Sequence, residues 1–228
     1  MADSTLSLLR LLHITDSSFP VGGYAYSHGL EWLVATGRVS DEAGVDVVTR
    51  SLVEQTLRRQ WLPAAARAYR AQEFRALLAV DDALDASIAA ESEREAGRAV
   101  GARLLEVLAT RGADSLIEKL HADVLSKTTP GQFAVAFSAA GRDCGAAERE
   151  VLAALAYSLV NSIPQAAIRL GVIGPSAGAR IVASAAPAIA NAVQAVNSDP
   201  RPRIGAFSPM LEIAAMLQPT LQFRMFAS

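Results

Sequence analysis

Apolar positions recur at helical spacing along almost the whole chain. Within residues 5–15, Leu8, Leu9, Leu12 and Ile14 make a short helix ending near Asp16. Ser40, followed by Asp41 and Glu42, reads as an N-cap with acids in the first turn. The helix it opens carries Val45, Val48, Leu52 and Thr56 on one face. Residues 60–80 predict another, offering Leu62, Ala66, Tyr69 and Leu77 to a core. Residues 91–110 are the most charged helix. There Glu91 pairs with Arg94 and Glu95 with Arg98 at i+3, while Val100, Leu104 and Leu108 face inward. Ser115 and Glu118 form a capping box for 116–127, and Thr129, Pro130 and Gly131 break the chain.

The second half is more apolar. In residues 147–170, Leu152, Leu155, Leu159, Ile163 and Leu170 line one side, and Val151, Ala156, Val160 and Ala167 cover much of the rest. A helix apolar nearly all round belongs in a core. Pro164 is expected to kink it, and Pro187 to kink the Ala-rich helix at 177–197. Asp199 through Pro202 reads as a stiff turn. Ser208 and Pro209 read as N-cap and N1 of a short helix that Pro219 stops. No stretch alternates long enough to demand a strand, and no repeat or linker divides the chain. The expectation is one all-α domain over residues 1–228. It is a bundle of about eight to ten helices with kinked central helices, and residues 219–228 form a tail.

Composition narrows the class. The chain has 228 residues, 51% of them hydrophobic, and a net charge of −2, which excludes general disorder. Cys144 is the single cysteine, so there is no disulfide scaffold, and a lone thiol fits a reducing cytoplasm. A pI near 5.9 gives no basic footprint for nucleic acid. Mean hydropathy is +0.25. The uncharged runs 151–168 and 181–198 therefore raise the question of a membrane span. Polar residues and Pro164 interrupt the first, and the second is mostly alanine. Both read as buried helices of a soluble protein rather than spans.

Chemistry-bearing motifs are sparse. There is no phosphate-binding loop, dinucleotide fingerprint, paired-histidine zinc motif or nucleophile elbow. Asp81, Asp82 and Asp85 spell D-D-x-x-D. On a helix these carboxylates share a face and suit Mg²⁺ bound to a diphosphate, as in all-α isoprenoid synthases. No second acidic motif follows, and the competing reading is a solvated turn with an aspartate capping the next helix. His13 and Asp16 sit one turn apart without further ligands. Cys144 beside Gly145 lacks an adjacent base. Gly171, Gly174 and Gly178 frame a loop between helices, with no lysine to make it a phosphate nest. The most distinctive stretch is 19–31, in which Pro20 precedes Gly22 and Gly23, then Tyr24, Tyr26, Ser27, His28, Gly29, Leu30 and Glu31. Such a turn either packs its tyrosines into the core or lets another element approach the glycines closely.

This stretch resembles the N-terminal signature of the UreF family of urease accessory proteins, and Pro20 to Glu31 follow it without a gap. Arg94-Glu95 with Gly101 and Leu104-Leu105, and Ala167 to Gly178, are weaker matches. The C-terminus is specific again, with Pro209, Leu211-Glu212-Ile213-Ala214 and Met216, and the ending Arg224 to Ser228. The chain departs from the family pattern at Val172, at Gly174-Pro175, and at Gln218 and Pro219, which replace a His-Glu pair. The resemblance implies a dimeric all-α adaptor without catalysis, cofactor or metal cluster of its own. Its implied partners are a UreD/UreH-type accessory protein, a UreG-type GTPase and the urease apoprotein, during loading of nickel. Gly22, Gly23, Tyr24, Tyr26 and His28 from the first motif, and Arg224, Met225 and Phe226 from the last, are the candidate partner-binding residues. The tail from Thr220 onward is expected to serve a partner and not the core.

Overall fold

The computed structural model describes residues 4–23, 26–110 and 115–227, excluding the side chain of Ser115. The capping box expected at Ser115 therefore lies outside the described residues. The described chain is mainly helical, with no strand among those residues. In order the helices are α1 (Ser4–Thr15), α2 (Leu30–Ala35), α3 (Glu42–Ser51), α4 (Leu62–Arg70), α5 (Phe74–Ser87) and α6 (Glu91–Ala109). They continue as α7 (Ser115–Leu125), α8 (Phe133–Asp143), α9 (Glu148–Arg169), α10 (Pro175–Ser198) and α11 (Pro209–Leu217). A π-helical segment, Leu52–Trp61, joins α3 to α4 as one rod, and a 3₁₀ turn, Gln218–Thr220, follows α11.

Two apolar clusters organise these helices. The larger is built around α8, which is buried from Ala134 to Gly141, and around α9 and α4. Small residues make this possible. A Cβ at Gly101 on α6 would lie 2.0 Å from the Gly131 carbonyl oxygen, so only glycine lets α6 meet the start of α8. The second cluster gathers Leu30 and Leu33 of α2, Val45 and Val48 of α3, Ile163 and Ala166 of α9, and Ile181 of α10. Leu211 and Ala214 of α11 and Phe226 of the tail complete it.

The structure corrects several local expectations. Asp41, not Ser40, caps α3, its carboxylate accepting from the Gly44 N–H at 2.8 Å. Residues 60–80 are not one helix: Ala71 is extended, α4 ends at Arg70, and α5 starts at Phe74. Arg94 and Arg98 of α6 reach across elements instead of along the helix. Arg98 grips Asp85 of α5 with bonds of 2.6 and 2.7 Å, and Arg94 donates to the Ile88 carbonyl. Pro164 lies inside α9 and Pro187 inside α10, where the sequence placed them. Gly171 ends α9 with φ +74°. Its N–H goes to Ile168 and that of Val172 to Ala167, both at 3.0 Å, so these amides close a Schellman turn and do not form an anion nest.

Both long apolar helices would span a membrane by length and hydropathy alone. Here α9 is a central core helix, with 56% of its apolar stretch buried, as expected. By contrast α10 is a surface helix: only 33% of its stretch is buried, and its outward positions are Ala, Ser, Asn, Gln, Pro187 and Arg180.

The aspartate triplet is not a solvated turn. Asp81 is fully buried in the middle of α5 and accepts from the Thr129 hydroxyl (2.7 Å), the Gly131 N–H (2.6 Å) and the Gln132 N–H (2.8 Å). Burial pushes its pKa up, against the lowering effect of these donors. Asp85 is occupied by Arg98 and by the Gln132 side-chain amide. Two of the three carboxylates thus shape the entry to α8, and the alternative diphosphate-enzyme reading loses its ligand set.

Candidate protein-docking site

The two specific sequence motifs fold into one unit. Gly29 adopts φ +78°, and a Cβ there would meet the Ala215 nitrogen at 2.8 Å and the Ala214 Cβ at 2.9 Å. Close approach of α11 therefore requires this glycine. Its neighbours Gly22 and Gly23 have open space where a side chain would go, so the close-approach expectation belongs to Gly29 instead.

Glu31 on α2 is the polar centre of the unit. Though nearly fully buried, its carboxylate accepts from the Gln218 amide at 3.1 Å, from the Phe226 N–H at 3.2 Å and from the Met225 N–H. Gln218 in turn accepts from the Ser27 hydroxyl at 3.0 Å. A buried charge is tolerable when donors surround it, and here they come from opposite ends of the chain. Gln218 is completely buried in this network. On α6, Ser92 adds a bond to the Ala215 carbonyl at 3.0 Å.

His28 is held beside this centre. It has φ +53°, its Nδ1 lies 2.7 Å from Glu93 Oε2, and its ring packs on Trp61. Burial lowers the imidazole pKa, but the Glu93 carboxylate outweighs that, and the net direction is upward. Half-buried Tyr26 is pushed upward by burial and then by Glu93. Both line a cleft of about 1130 Å³ between α1, α6 and α9. Tyr24 lies outside the described residues.

The tail divides its side chains. Phe226 is 3% exposed within the second core cluster, with the Arg169 guanidinium 4.2 Å over its ring. This corrects the expectation that the tail stands apart from the core. Arg224 points to solvent, as do Phe223 at 85% exposure and Met225 at 61%. The outer face of α11 continues this surface with exposed Met210, Ile213 and Met216, and Phe207 precedes it. The fold thus clamps a backbone in place while leaving large apolar side chains in water, which makes this face the candidate docking surface. The sequence motifs single out Met225 and Arg224, which the structure leaves exposed, but do not reveal Glu31, Ser27 and Gln218 as the clamp. The available signal was a charged residue in the otherwise apolar α2. Among the described residues no group of three His, Cys, Asp or Glu could hold a metal ion.

Comparison with known proteins identifies the family. The UreF family model matches residues 39–186. The urease accessory protein UreF of Methylobacterium radiotolerans is 35% identical over 98% of this chain and 97% of its own length. Those of Arthrobacter sp. and Trichodesmium erythraeum are 32% and 29% identical, each over 96% of both chains. The Gly29–Glu31 and C-terminal motifs lie outside the stretch the family model matches. The chain belongs to the UreF family of urease accessory proteins, a family of accessory proteins and not of enzymes.

Proposed function

We propose that this chain is the adaptor that joins a UreD/UreH-type accessory protein to a UreG-type GTPase while nickel is loaded into the urease apoprotein. It acts in the cytoplasm, as a homodimer, binds neither membrane nor nucleic acid, and leaves GTP to its partner. One observation carries the reading. The outer face of α11 and the tail expose Met210, Ile213, Met216, Phe223 and Met225, on a backbone that the buried Glu31 carboxylate fastens from behind. Side chains of this kind are worth roughly 1.5–3 kcal/mol each when covered, which is the composition of a docking surface. We assign that surface to the UreD/UreH-type partner, with Arg224 at its edge. We assign Gly22, Gly23, Tyr26 and His28 to the same partner surface, since their segment leads into Gly29, which meets α11.

The test is capture of the purified partner proteins by immobilised chain. Met210→Asp with Ile213→Asp should abolish capture of the UreD/UreH-type protein while leaving the circular dichroism spectrum unchanged. Normal capture by that variant overturns the assignment. Light scattering at micromolar concentration should give a dimer mass, and a monomer would remove that part of the proposal.

A further inference from the structure

Between α10 and α11 the chain crosses the molecule as an extended strap. One end is tied where Arg70 donates to the carbonyls of Asn197 and Asp199. At the other end Gly205 donates to the Arg59 carbonyl at 3.0 Å, and the Ser208 and Thr56 hydroxyls meet at 3.1 Å. Between these ties the burial alternates residue by residue. Pro202 is buried, and Ile204 and Ala206 are half-buried. Arg201, Arg203, Gly205 and Phe207 are exposed. Extended backbone sends successive side chains to opposite sides, so the exposed set forms one outward row. Ile204 packs on the larger core and holds that row in place.

The cations of this row are uncommitted, and so is the exposed Arg59, whose backbone carbonyl holds Gly205. Arg58 is paired with Glu54 at 3.1 Å, but among the described residues Arg59, Arg201 and Arg203 form no ion pair. The nearby carboxylates are engaged with backbone. Asp199 accepts from the Arg201 N–H and Glu212 from the Ser208 N–H. Phe207, 73% exposed, closes the row and leads into Met210 of the α11 face.

We propose that Arg201, Arg203 and Arg59 receive an acidic segment of the same partner that docks on α11, with Phe207 as the apolar anchor between the two contacts. The inference rests on the docking reading above and adds the partner's chemistry. A guanidinium fork matches a carboxylate in a bidentate pair, and arginine next to an aromatic is the usual composition of an interface anchor. The row is short, is interrupted by Gly205 and ends in apolar residues. The chain around it carries net −2, which opposes a long polyanion and favours a local acidic stretch. Opposite charges at an interface act first on the rate of encounter, and salt screens them.

The experiment follows association and dissociation of the purified UreD/UreH-type protein on immobilised chain, from 50 to 500 mM salt. Arg201→Glu with Arg203→Glu should slow association about tenfold at low salt, the deficit shrinking to within about twofold at high salt, with dissociation little changed. Arg201→Lys with Arg203→Lys should keep most of the steering. An unchanged association rate and salt slope in the glutamate variant overturns the inference, provided the Met210→Asp, Ile213→Asp control loses capture. If that control binds normally, the docking reading itself fails. A 20-nucleotide single-stranded DNA serves as the competing probe. Its arginine-dependent binding would also overturn the inference, and the expected result is no binding.

Discussion

Glu31 shows how one side chain can hold two distant motifs together. Replacing it with alanine leaves the Gln218 amide and the Met225 and Phe226 N–H groups facing an empty, buried site. Each orphaned donor costs roughly 1–3 kcal/mol unless water reaches it, so Glu31→Ala should lower unfolding free energy by about 2–4 kcal/mol. Urea denaturation measures this, and hydrogen exchange should show lost protection at 225 and 226. His28 gives a pH signature. Its folded pKa is raised above the ordinary 6.5 because the Glu93 carboxylate outweighs burial. A group raised in this way stabilises the fold fully below its unfolded pKa, and the contribution disappears as pH climbs through the folded one. The urea midpoint of wild type should therefore exceed that of His28→Gln by more at pH 5.5 than at pH 9. A gap that widens with pH would contradict the pairing. Cys144 is pushed up to about 11 by burial and then by Asp143. Thiolate at pH 8 is then roughly one part in a thousand. Reaction with a disulfide reagent should be far slower in the folded chain than in urea.

At the scale of elements, the helices were legible in the sequence because their signals are local. Alanine-rich composition, acids in first turns and Pro-Gly breaks place α1, α6, α9, α10 and α11 within a few residues of where they lie. What stayed hidden was set by contacts between remote segments. The break between α4 and α5 carries no glycine or proline; Arg142 of α8 stabilises it by donating to the Tyr69 and Ala71 carbonyls. Asp81 read as a surface residue because the three donors that bury it lie some fifty positions away. The same holds for the candidate site, where the motif residues were visible but the Glu31 clamp depended on partners at 218–226. Gly101 states this dependence as a prediction. A methyl group there would collide with the Gly131 backbone, which has no side-chain freedom with which to yield. Gly101→Ala should destabilise the chain by about 3 kcal/mol, at the upper end of overpacking costs. A melting temperature equal to wild type would mean that α6 can move away from α8.

For the whole molecule, the tail separates stability from recognition. Removing residues 221–228 uncovers the surface that Phe226 fills and strips two N–H donors from Glu31. Loss of a buried phenylalanine contributes about 1.5–3 kcal/mol and the unmet carboxylate adds to it. In a chain of this length each kilocalorie moves the melting temperature by about 2–4 °C, so truncation should lower it by roughly 5–10 °C. Phe223, Arg224 and Met225 stand outside that account, because their side chains already face water. Changing all three to serine should move the melting temperature by no more than about 3 °C, since each exposed substitution rarely exceeds ±0.5 kcal/mol and the three partly cancel. The same triple variant should lose most of its capture of the UreD/UreH-type protein. The two constructions must then differ in kind: the truncation unstable and unable to bind, the triple variant stable and unable to bind. A triple variant that melts early would place those side chains in the fold. One that binds normally would restrict docking to the α11 face and the arginine strap. The clamp makes the distinction measurable, because Glu31 holds the tail through its backbone and Phe226, while the three neighbouring side chains remain available to a partner.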